Sequence, residues 1–230
     1  VYFFSFLYIV MMTLLRSFFV LTTLLFLSCN SSNEISKPNI VLFMVDDLGW
    51  QDTSVSFWKN ETKFNRLYNT PNMEILANMG VKFTNAYATP VCSPSRISLM
   101  TGMNAAKHRV TNWTLNPNKK KPAEINHKIF EFPDWNYNGL STLDSISNTI
   151  YATPLPQILK DNGYYTIHAG KAHLGAIGYP SSNPLNIGFD INIAGHAAGA
   201  PQSYLGVDNF GNNNSKNKIW AVPGLKKYHG

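Results

Sequence analysis

Apolar and polar positions follow two different periods along the chain. Asn39 to Val45 is a nearly continuous apolar run, NIVLFMV, bounded by Pro38 and by Asp46-Asp47. Such a run predicts a strand buried on both faces, with the carboxylates at its carboxyl end. Thr70-Pro71 then supplies an N-cap and a first-turn proline, Met73, Leu76 and Met79 recur at helical spacing, and Gly80 stops the helix. Val81 to Ala88 predicts a second strand. A short helix is signalled by Ser93-Pro94, with Ile97 and Met100 on one face and Gly102 after its last turn. Another opens at Thr153-Pro154, shows Leu155, Ile158 and Leu159, and closes at Gly163. Tyr164 to His168 reads as a further strand, running into Gly170-Lys171-Ala172-His173-Leu174-Gly175. Strands alternating with helices predict an α/β fold: a mainly parallel, doubly wound sheet with helices on both faces. Ligands of such sheets sit beyond the carboxyl ends of the strands.

Two stretches lack a period. Asn116 to Asn148 is rich in Asn, Pro, Lys and aromatic residues and reads as a long surface excursion, and Gly195 to Gly230 is dense in Gly, Ala and Asn. No internal repeat is visible. At the other end, the chain from Met11 or Met12 reads as a secretory signal, with Arg16 in a short n-region and an apolar stretch from Phe18 to Leu27. Phe26-Leu27-Ser28-Cys29 resembles a bacterial lipobox, which makes Cys29 the expected acylation site. An uncleaved membrane anchor is the alternative, since a span needs ~20 apolar residues. Residues 1–28 are thus expected to be a signal segment and 29–37 a polar linker. The expected location is the periplasm or the outer-membrane or cell surface of a bacterium, with a lipid anchor to the membrane. Val1 to Val10, ahead of the paired methionines, suggest a reading frame begun too far upstream or cut at its start.

Composition narrows the class. The 230 residues are 44% hydrophobic and 14% charged, which excludes a coiled coil, a collagen-like repeat or a wholly disordered chain. The net charge of +6 invites a nucleic-acid reading. The basic residues do not support it: apart from Lys119 to Lys121 and the pair Lys226-Lys227 they are scattered singly, whereas a nucleic-acid footprint is clustered. A mild positive excess fits an anionic small molecule or polysaccharide. The two cysteines are Cys29 and Cys92. With Cys29 acylated, Cys92 is a lone thiol in an oxidising compartment.

Three polar clusters fall where a doubly wound sheet puts chemistry. Asp46 and Asp47 are adjacent carboxylates whose hard oxygens suit calcium or magnesium, although the same pair before Leu48-Gly49 is also an ordinary turn. In Cys92-Ser93-Pro94-Ser95-Arg96, Cys92 is expected just before a helix whose first residue is Pro94. It would face unpaired N–H groups, with the Arg96 guanidinium four residues on and on the same side. A nucleophile, a helix N-terminus and a guanidinium suit a tetrahedral anion; a small buried cysteine beside a structural arginine is the plainer reading. Lys171 and His173 project to one side if the backbone stays extended, where they could bind an anion and move a proton. A solvated lysine and a structural histidine are the alternative. His108, Arg109 and His196 receive no role beyond support or substrate contact.

Taken together, Asp46-Asp47-Leu48-Gly49, Thr70-Pro71-Asn72-Met73, Cys92-Ser93-Pro94-Ser95-Arg96 with Thr101-Gly102, and Gly170-Lys171-Ala172-His173-Leu174-Gly175 resemble the type I sulfatases of the alkaline phosphatase superfamily, in order and approximate spacing over residues 38 to 230. The resemblance implies hydrolysis of sulfate esters on a sulfated carbohydrate or an aryl sulfate. It implies conversion of Cys92 to Cα-formylglycine by a formylglycine-generating maturation enzyme, and a divalent cation, calcium before magnesium, held by Asp46, Asp47 and residue 92. By the same resemblance Arg96 holds the hydrated aldehyde and the metal site, Lys171 binds a sulfate oxygen, and His173 orients or deprotonates the nucleophile.

Two departures stand out. Ala172 lies where many relatives carry an aromatic residue between the lysine and the histidine. Family members also continue past the position of Gly230, so residues 38–230 are expected to be the N-terminal portion of a sulfatase catalytic domain, feeble or inactive alone. A phosphoesterase of the same superfold and a non-catalytic lipoprotein that binds sulfated glycans are the rival readings.

Overall fold

The computed structural model describes residues 2–27, 36–120 and 127–200. It divides into two units, Val1–Val45 and Asp46–Gly230. In the first, α1 spans Tyr2–Leu27 and carries one charge, Arg16. Cys29 lies outside the described residues. Asn39 to Val45 enters no ladder among the described residues, and its side chains are exposed, Val41 and Phe43 to 86%. The strand expected there is therefore corrected to an irregular segment. An inner strand of a parallel sheet needs a neighbour at its edge and cover on its faces.

The second unit contains the remaining elements. Helix α2 (Pro71–Met79) begins after Thr70, with Pro71 in its first turn, and stops at Gly80. Its apolar side chains Ile75, Leu76 and Met79 are exposed. The strand expected over Val81 to Ala88 does not form, and Val81, Phe83 and Tyr87 are likewise exposed. Helix α3 spans Cys92–Thr101 and ends on Gly102 in the left-handed conformation (φ 69°), a turn that favours glycine because it lacks a Cβ. Helix α4 (Ala105–His108) opens with the Asn104 side chain accepting the Lys107 N–H. Helix α5 spans Leu155–Asp161, capped by Pro154.

Among the described residues four strands pair in parallel, as an α/β sheet requires, in two separate ladders. In one, β1 (Gly139–Ser141) pairs with β2 (Thr149–Tyr151). The buried Ser141 hydroxyl accepts the Leu143 N–H and donates to the Leu143 carbonyl, so the chain turns directly after β1. In the other, β3 (Ile167–Ala169) pairs with β4 (Ile191–Ile193), Ile167 facing Ile191. The strand expected over Tyr164 to His168 is thus displaced toward the carboxyl end, and Gly170 to Gly175 follows it without a break.

The core is Ile97, Val110, Trp135, Leu140, Ala172, Leu174 and Ile187. Two expectations change here. The segment Asn116 to Asn148 is not wholly a surface excursion, because Trp135, Asn138, Gly139 and Leu140 are buried. Ala172 and Leu174 anchor the lysine loop in the core, with Lys171 and His173 interleaved between them.

His108 is fully buried and belongs to this scaffold. Its Nδ1 accepts the Val110 N–H at 3.0 Å, which leaves Nε2 protonated in the neutral ring and donating to Ser98 Oγ at 2.9 Å. Asn136 adds a hydrogen bond to the His108 carbonyl. Helix α3 is thereby tied to α4 through an imidazole. Burial holds the His108 pKa below 6.5, against the opposing pull of the Pro94 carbonyl and its own backbone. The unfolded chain binds the proton more readily, so stability is full above the unfolded value of 6.5 and is lost as pH falls toward the folded one. Urea unfolding between about pH 7.5 and pH 5 should therefore show stability falling with acid, and His108→Gln should make the slope shallower. An unchanged slope would assign it instead to His168, His173 and His196, whose pKa values burial also lowers.

Candidate active site

The signature segment builds most of the site through its helix. Cys92 is the first residue of α3 rather than the residue before it, because the chain turns helical directly after extended Val91. No side chain caps the helix in the usual way. Ser95 instead reaches back: its Oγ accepts the Thr89 N–H at 3.1 Å and lies within hydrogen-bond range of the Thr89 and Val91 carbonyls. Ser93 and Pro94 are buried, and Thr114 Oγ1 donates to Ser93 Oγ at 3.3 Å. These contacts fix the helix end, so that Cys92 sits half-exposed while Ser93 and Pro94 after it are buried.

Arg96, 8% exposed, spends both ends of its fork. Nη1 donates to the Lys171 carbonyl at 2.6 Å and Nη2 to Asp46 Oδ1 at 2.9 Å. The Lys171 ammonium lies 2.6 Å from Asp46 Oδ2 and 3.1 Å from Cys92 Sγ. One carboxylate thus receives a different cation on each oxygen. Burial pushes the Asp46 pKa up, but the hydrogen bonds and charges of Lys171 and Arg96 outweigh it and hold the group below 3.8. Asp46 is therefore an anion throughout the physiological range.

Asp47 adopts the left-handed conformation (φ 56°), which aspartate tolerates better than most residues. Ligand atoms of Asp46, Asp47 and Cys92 all lie within 4.8 Å of one another. The two carboxylates fit a hard divalent cation; the sulfur does not, since calcium takes oxygen ligands. Residue 92 suits that donor set only once its sulfur is replaced by oxygen.

His173 departs from the extended backbone expected of it. Its φ is 53°, and its N–H donates to the His196 carbonyl at 3.0 Å. The ring is 4% exposed, and its Nδ1 has no hydrogen-bond partner among the described residues. Burial, then the positive charges of Lys171 and Arg96, lower its pKa to about 4 against the pull of Asp46. The imidazole is therefore neutral near pH 7. Sequence reasoning did not foresee the segment that flanks it. Gly195 to Gly199 read only as a small-residue tail, yet Ala197 and Ala198 are buried, and the His196 carbonyl and Gly199 lie against His173.

Comparisons with known proteins give the family. The sulfatase family profile matches residues 38–222. Human steryl-sulfatase is 34% identical over 172 residues, covering 73% of this chain and 25% of that protein. Human N-acetylgalactosamine-6-sulfatase is 32% identical over 161 residues, covering 70% and 26%. A sulfatase of Formosa agariphila is 28% identical over 218 residues, covering 91% and 36%. The chain thus spans about a quarter to a third of the length of these relatives. With a profile match over most of its length, the chain belongs to the sulfatase family, within the α/β alkaline phosphatase superfamily.

Proposed function

We propose that this chain supplies the nucleophile, the first metal ligands and the sulfate-facing cations of a sulfuric ester hydrolase. The observation that carries the reading is the Lys171 ammonium held between Asp46 and Cys92, 2.6 Å from one and 3.1 Å from the other. A formylglycine at position 92 would supply a hydrated-aldehyde hydroxyl as nucleophile, and a divalent cation held by Asp46 and Asp47 would supply charge to polarise the sulfate. Lys171, beside the reacting position, binds a sulfate oxygen and stabilises the charge that develops there. Arg96 holds Asp46 and the Lys171 backbone in register, so both cations keep their places as the anion arrives. His173 is neutral and has a ring nitrogen without a partner among the described residues, which suits it to accept a proton from the nucleophile.

The substrate class proposed is a sulfated polysaccharide or oligosaccharide. A relative named for N-acetylgalactosamine-6-sulfate and the mild positive charge support that choice. A formylglycine-generating enzyme is the partner that the modification requires. Export with a lipid anchor at Cys29 completes the proposal; the apolar helix α1 supports it, and labelled-palmitate incorporation lost in Cys29→Ala tests it.

Mass spectrometry of the tryptic peptide Phe83 to Arg96 from the native host should find residue 92 without its sulfur and carrying an aldehyde. An intact thiol there counts against the route. With the whole gene product and an aryl sulfate, Lys171→Ala should lower kcat/KM by about 10²–10³-fold. Arg96→Lys should also lose most activity, because the shorter lysine lacks the planar fork whose two nitrogens reach the Lys171 carbonyl and Asp46 separately. Chelation should abolish turnover, with calcium restoring more of it than magnesium. Faster hydrolysis of the matching phosphate ester would favour a phosphoesterase instead.

A further inference from the structure

Resting on the proposed roles of Lys171 and His173, we infer that Gly199 is a positioning residue that sets the His173 ring beside the Lys171 ammonium. A Cβ at position 199 would lie 3.0 Å from His173 Cε1, 3.1 Å from His173 Nδ1 and 3.6 Å from Lys171 Nζ. The first two distances are closer than nearly all carbon contacts in folded proteins, so the ring would have to move by a few tenths of an ångström. The third is ordinary contact. Gly199 therefore meets the imidazole on the side of Nδ1, which has no partner among the described residues.

Three observations separate this role from that of an ordinary loop glycine. Gly199 does not adopt the left-handed conformation, so what the position demands is room for the ring rather than backbone freedom. The same segment fixes the backbone of the histidine, because the His196 carbonyl takes the His173 N–H. His173 cannot retreat easily either: it is almost fully buried, and Ala172 and Leu174 on either side are core residues. The short segment from His196 to Gly199 thus grips His173 twice, by its N–H and by its ring.

The test substitutes Gly199→Ala in the whole gene product. Long-range ¹H–¹⁵N spectra of the imidazoles, which need no turnover, should show the His173 resonances displaced and those of His108 unchanged. With p-nitrophenyl sulfate, kcat should fall by about 10-fold while KM stays within about 3-fold, because sub-ångström misplacement of a reacting group weakens the transition state more than binding. In the His173→Ala background, adding Gly199→Ala should cost nothing further, because the ring it presses on is gone. Unmoved His173 resonances, or an equal loss with and without the ring, would overturn the inference. A melting temperature lowered by more than about 5 °C with both kinetic constants spoiled would also overturn it, showing a packing glycine only. Failure of the underlying reading looks different: Lys171→Ala and His173→Ala would then leave turnover unchanged, whatever Gly199→Ala does.

Discussion

The site depends on a single carboxylate shared by two cations. Asp46 accepts from Arg96 on one oxygen and from Lys171 on the other, and it is the burial of the two cations beside a more exposed carboxylate that makes the arrangement demanding. A buried guanidinium without a counter-charge would be strongly destabilising, and so would two cations facing each other without an anion between them. With Asp46 present each cation faces a carboxylate oxygen, the trio keeps one net positive charge, and the Lys171 ammonium lies beside Cys92. The same carboxylate therefore ties Arg96 to the lysine loop and holds the ammonium beside residue 92.

The signature segment divides its labour between support and reaction. Ser95 ties the lead-in segment at Thr89 to the helix, Ser93 and Pro94 are sealed into the interior, and Ile97 joins the hydrophobic core. Arg96 turns the other way, across to the lysine loop. His108, one helix away, holds the far side of α3 through Ser98 and contributes no atom to the reacting group. The half-exposed residue 92 is thus held by neighbours packed into the interior.

How much of this was legible in the sequence follows from which interactions are local. The helix starting after Thr70 and the helix ending at Gly102 were readable because proline and glycine act on their own turn. The site residues were readable as motifs, since Asp46-Asp47, Cys92 to Arg96 and Lys171 to His173 are each compact in sequence. Strands were read less well. Asn39 to Val45 and Val81 to Ala88 have strand composition, but a strand is defined by its neighbours, and neither segment is paired among the described residues. The left-handed turn at His173 could not be read either, because it is fixed by the His196 carbonyl from a segment with no periodic signal. Gly199 was invisible for the same reason: its meaning lies in a ring packed against it from a distant part of the chain.

The bonds that converge on Asp46 and Cys92 also set an order of assembly. Asp46 and Arg96 are 50 residues apart, Arg96 and Lys171 75, and Asp46 and Lys171 125. Closing loops of that length has an entropy cost that rises slowly with length, and each closure has to precede the contact it permits. On a ribosome that synthesises from the amino terminus, Arg96 can meet Asp46 long before Lys171 exists. Arrival of the lysine loop completes both the ion pairs of Asp46 and the surroundings of residue 92 in one step, so the centre acquires its charge pattern only once the chain behind it is already in place.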